Sequence, residues 1–116
     1  MFSSVVYAQL DGGGSASANV GRGFSISGAA YRATLTVSSS ATHGVNGMRV
    51  RVNNVQTGAR TEITEASQNA NFASGRTVTS NSVNVNSGQT ARGNYWYRRQ
   101  GTTTWRAVTD MDSRRP

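Results

Sequence analysis

Four of the nine aromatic residues, both tryptophans among them, share one short stretch with three of the twelve arginines. Tyr95, Trp96, Tyr97, Arg98 and Arg99 are followed by Gln100, Gly101 and three threonines, then by Trp105 and Arg106. Aromatic rings stack on sugars, bases and guanidiniums, and a guanidinium grips phosphate, sulfate or carboxylate with a planar fork of donors. The chemistry this segment suits is therefore recognition, combining ring stacking with anion capture. Large side chains are scarce elsewhere, so the cluster serves either the chain's own core or the surface of a partner.

Charge points the same way. The formal net charge is +7, and every positive residue is arginine. Such a surface attracts anions, and its donors suit contact better than hydration. Arg114 and Arg115, just before Pro116, read as a solvated tail.

Catalysis lacks its parts. His43 is the one histidine, and no spacing brings an acid and a nucleophile to it; Ser38, Ser39 and Ser40 read as a strand end. The five carboxylates are Asp11, Glu62, Glu65, Asp110 and Asp112, with no context that marks a glycosidase pair. Asp110 and Asp112 flank Met111 but offer too few oxygens for calcium. Without cysteine, and with a single histidine, zinc lacks its usual ligands. Without lysine, a phosphate-binding P-loop is excluded. The expectation is a protein that is not an enzyme, with no cofactor and no metal.

The elements that must position the aromatic and arginine residues are strands. Tyr31, Ala33, Leu35 and Val37 alternate with Arg32, Thr34, Thr36 and Ser38, the pattern of a half-buried antiparallel strand. Met48, Val50 and Val52 repeat it against Arg49, Arg51 and Asn53. Turn residues at 53–60 predict a hairpin returning through 60–64, and Gln100 with Gly101 predicts a second one. Residues 5–10 read as a first strand. Phe24 and Ile26 alternate with serines, and Val78, Val83 and Val85 mark weaker strands. Residues 67–75 read as a loop, and 62–71 as the one region able to hold a helical turn. The predicted fold is all-β: a single antiparallel β-sandwich of about 7 to 9 short strands, of immunoglobulin-like or jelly-roll character, with residues 1–116 as one domain.

Register then sorts the candidates. A loop centred between Gln100 and Gly101 sets Trp96 opposite Trp105, Arg98 opposite Thr103 and Tyr95 opposite Arg106. That makes Trp96 and Trp105 a core pair and turns Tyr95, Tyr97, Arg99 and Arg106 outward. Arg32, Arg49 and Arg51, joined by Arg60, are expected to project from neighbouring strands of one sheet and complete an interaction face.

Composition sets the partner classes. Val, Leu, Ile and Phe supply 19 of 116 residues, whereas Ser, Thr, Asn and Gly supply 51. The resulting core is thin, and no disulfide reinforces it. Packing against copies of itself or a partner protein would complete it. The first expectation is thus a structural or interaction subunit of a surface, fibre, sheath or coat-like assembly. The alternative is a module binding an anionic or sugar-rich polymer, a cell-surface glycan or nucleic acid. In composition the chain is similar to bacterial surface proteins and to virion or tail components, which implies an extracellular, cell-surface or virion setting. No apolar run reaches the roughly 18 residues of a transmembrane segment, and no intact signal peptide is visible at the N-terminus.

Overall fold

A computed structural model describes residues 5–10, 14–22, 30–38, 44–66, 75–99 and 101–116, Arg22 by its backbone alone. The alternating segments condense into nine strands: β1 Val5–Gln9, β2 Ser15–Arg22, β3 Ala30–Ser38, β4 Val45–Asn54, β5 Arg60–Ala66, β6 Arg76–Thr79, β7 Val83–Asn84, β8 Thr90–Arg99 and β9 Arg106–Arg114. They form two antiparallel sheets. The first runs β1-β2-β3-β6, with β7 also pairing to β3; the second runs β5-β4-β8-β9. There is no helix among the described residues, and β5, Arg60–Ala66, takes up the start of the 62–71 region able to hold a helical turn. Phe24, Ile26, His43 and residues 67–74 of the expected loop lie outside the described residues.

One core lies between the sheets. Ala16, Ala18 and Val20 of β2, Tyr31, Ala33, Leu35 and Val37 of β3, and Val78 and Val83 of β6 and β7 face inward from the first sheet. Met48, Val50 and Val52 of β4, Ala91, Tyr95 and Tyr97 of β8, and Met111 of β9 meet them from the second. The size match matters in so lean a core. Small alanines on β2 leave room for Tyr95, whose hydroxyl crosses the layers to donate to the Asn19 carbonyl. The Tyr95 ring lies along its own strand over Gly93, where a Cβ would fall 2.7 Å from its Cζ. Only glycine fits there, because the buried ring has nowhere to move.

The β4–β5 hairpin is the one the sequence predicts. Asn54 is buried, and its Oδ1 accepts from the Gln56 and Thr57 amides at 3.0 and 3.1 Å, shaping the turn. Its Nδ2 donates to the Asn84 carbonyl and to Gln89 Oε1, both at 2.9 Å, tying the turn to the start of β8. Gly58 completes the turn at φ 79°.

Between β3 and β4 the chain changes sheets. Arg32 therefore projects from the outer side of the first sheet, and Arg49 and Arg51 from the outer side of the second. The expectation that all three share one sheet is corrected: β3 and β4, though consecutive in the chain, belong to different sheets. Arg60 does stand with Arg49 and Arg51, on the adjacent β5.

Candidate interaction face

Residues two apart on a strand point to the same side, about 6.8 Å from each other. On β4 that rule turns Arg49, Arg51 and Asn53 outward while Met48, Val50 and Val52 stay inside. Antiparallel pairing sets Arg98 beside Gly47, Trp96 beside Arg49, Asn94 beside Arg51 and Arg92 beside Asn53. The β5 side adds Thr64, Glu62 and Arg60 in the same rows. The outer face of the second sheet thus carries arginines row after row, with Trp96 among them.

This overturns the expected inside and outside of the aromatic cluster. Tyr95 and Tyr97, 0% and 2% exposed, belong to the core, and Trp96 and Trp105 form no core pair. Tyr97 pairs with Arg106 and Trp96 with Ala107, and Val108 bulges before Tyr95 meets Thr109. The longer link between β8 and β9 moves each partner by two residues, which keeps the parity: Trp96 and Trp105 share a face as expected, but it is the outer one. A readable signal lay upstream. Burying Trp96 would have buried Arg92, Asn94 and Arg98 with it, whereas the other face of β8 offers Ala91, Gly93, Tyr95 and Tyr97. Arg99 and Arg106 do share a parity with Tyr97, at the end of the core face; the Arg99 guanidinium lies 5.4 Å from the Tyr97 ring centroid.

Trp105, last residue before β9, settles on β4. Its ring rests against Gly47, where a Cβ would come within 2.7 Å of Cη2 and 3.1 Å of Cζ3. The Arg49 and Arg98 guanidinium carbons stand 4.3 and 5.2 Å from its centroid, and that of Arg51 stands 5.0 Å from the Trp96 centroid. All three fall within cation–π range, worth roughly 0.5–1 kcal/mol each at exposed sites. Further bonds fix two of them: Arg49 Nε donates to Thr64 Oγ1 at 3.1 Å, and Arg98 Nε to Asn46 Oδ1 at 3.2 Å. Asn46 is the extra residue of a bulge in β4. Arg98 and Gly47 escaped the sequence reading, although Arg98 shares the parity of Trp96.

The acids on this face are engaged unequally. Asp112 accepts from Arg92 Nε and Nη2 at 2.8 and 3.1 Å, and Asp110 from Asn94 Nδ2 at 2.7 Å. The Asp112 hydrogen bond, then its charge, raises Arg92 further above its ordinary value. Glu62 is looser: one oxygen lies 3.5 Å from Arg49 Nε and 3.7 Å from Arg51 Nη2.

The opposite face has another character. Thr34 pairs with Thr79 and Thr36 with Thr77 through their hydroxyls at 3.2 and 2.8 Å. Tyr7, 80% exposed, borders a shallow depression of about 150 Å³ with Ser15, Ser17 and Thr36. Arg32 projects on this side, away from the tryptophans.

Comparison with protein-family models, with curated proteins and with solved structures finds no match to this chain.

Proposed function

We propose that this protein is a non-enzymatic module that binds an anionic polysaccharide along the outer face of the second sheet. The observation that carries the reading is the placement of Arg49 and Arg98 against Trp105, with Arg51 against Trp96. Guanidiniums held against indoles lose less freedom when they grip an anion, which favours binding by preorganisation. The same contacts occupy the indoles, so the rings hold arginines in place of stacking on a base. That favours a sulfated or carboxylated glycan over single-stranded nucleic acid, which gains much of its affinity from open aromatic platforms. The non-enzymatic part rests on the carboxylates of the described residues: Glu62, Glu65, Asp110 and Asp112 are all engaged by arginine or asparagine side chains. In this reading the two sheets are a sandwich scaffold, of immunoglobulin-like or jelly-roll character, in an extracellular, cell-surface or virion setting.

A salt titration of binding to a heparin-type oligosaccharide tests it. Replacing Arg49 and Arg51 with alanine should weaken binding and reduce the slope of log affinity against log salt by up to about two. Affinity indifferent to salt would replace anion capture with an uncharged sugar contact, and no binding would remove the reading.

The second reading is self-assembly, favoured by β1. This edge strand is Val-Val-Tyr-Ala-Gln, with Val5 46% and Tyr7 80% exposed and no charge to discourage pairing. The other edges carry Arg60, Glu62 and Glu65 on β5, a bulge and four charged residues on β9, or brevity and Arg76 on β6.

A further inference from the structure

We infer that Glu62 occupies the place of the ligand's anionic group, so that binding displaces it and its charge sets the affinity of the face. This deepens the glycan reading and rests on it. Glu62 projects from β5 in the row of Arg51, one row from Arg49. Its single engaged oxygen is 3.5 and 3.7 Å from their nitrogens, beyond the 2.7–3.2 Å of a formed hydrogen bond. The three side chains keep 31–39% of their surface in water, so solvent screens the pair. Asp112, held by two short bonds to Arg92, is a poor candidate for displacement.

A second observation sits at the same place. Arg51 Nε is shut off from water and has no acceptor among the described residues. Its present pose leaves a donor unused, and a pose in which the guanidinium turns to bracket a sulfate or carboxylate recovers it. Arg49 and Arg51, about 6.8 Å apart along β4, then flank one anionic group of the chain, while Arg98 and Arg60, a row farther on either side, receive its neighbours. Glu62 acts as an internal competitor: without ligand it lowers the repulsion between Arg49 and Arg51, and with ligand it gives way.

The test compares Glu62→Gln with Glu65→Gln, using the heparin-type oligosaccharide and following tryptophan fluorescence, since both indoles underlie the guanidiniums concerned. Each change removes one negative charge, but Glu65 lies on the other side of β5, with Ile63, and pairs with Arg76 of β6 in the first sheet. Glu62→Gln should bind about threefold to tenfold more tightly than the parent protein, with a salt slope steeper by up to about one. Glu65→Gln should change affinity less and leave the slope in place. Equal gains in both variants would reduce the effect to net charge and overturn the assignment, as would unchanged or weaker binding by Glu62→Gln. Parent binding that depends on Arg49 and Arg51 but ignores Glu62 overturns this inference alone. Absence of parent binding overturns the glycan reading with it. Tighter binding of an oligothymidylate than of the oligosaccharide transfers the site to nucleic acid and overturns the glycan assignment.

Discussion

Tyr95 and Tyr31 are both fully buried, yet their hydroxyls differ. That of Tyr95 donates to the Asn19 carbonyl, whereas that of Tyr31 has no partner among the described residues. Removing a made bond leaves the carbonyl short of a donor, and removing an unmade one relieves a buried polar group. Tyr95→Phe should therefore lower stability by about 1 kcal/mol, and Tyr31→Phe should be neutral or stabilising; urea unfolding of the two variants checks this. Burial, and next the charge of Asp110, raise the Tyr95 phenol well above its ordinary value. Below the unfolded value of about 10 both states keep the proton, and the phenol's contribution is complete. Above it the unfolded chain releases the proton while the folded one retains it, so stability falls as pH rises. Tyr95→Phe should flatten that alkaline loss; an unchanged profile would assign the loss to other groups.

At the scale of elements, β4 and β8 are strands with two occupations. One face of each supplies core, and the other carries arginines with the indoles that hold them. Gly47 is where the two strands and the start of β9 converge, because the Trp105 ring lies against it. Gly47→Ala should lift the indole away from Arg49 and Arg98, shift tryptophan emission to the red and weaken glycan binding, at a stability cost of about 1–3 kcal/mol. Emission identical to the parent's would mean the ring can shift without leaving its socket. The strand alternation behind this arrangement was legible: Tyr31 to Val37 and Met48 to Val52 bury as their spacing predicts. The β8–β9 register was not, because a longer link moves the partners by two residues and a bulge in β9 by one more, at places that the local pattern does not mark. Extending the alternation of β8 back to Ala91 reaches the right answer, since one face is free of charge and the other holds Arg92, Asn94 and Arg98.

For the whole molecule, a lean core between two sheets puts weight on what covers its edges. If β1 pairs with a second copy, dilution should lower the melting temperature and sedimentation should show a dimer or larger species, and Tyr7→Lys should abolish both effects. A monomer whose melting temperature ignores concentration would discard the assembly reading and leave the glycan reading intact, since that face lies on the other sheet. The sequence by itself determined that the chain is built of strands and that Arg49 and Arg51 point outward, because a period of two is a property of the extended backbone. It also determined an arginine-only basic surface. Tertiary structure alone decided where the Trp105 ring rests and which arginines are companions. Arg32, near Arg49 in the chain, ended on the opposite side of the molecule, and Arg98 and Trp105 joined Arg49, because strand neighbours are chosen by how two sheets close over a core and not by order along the chain.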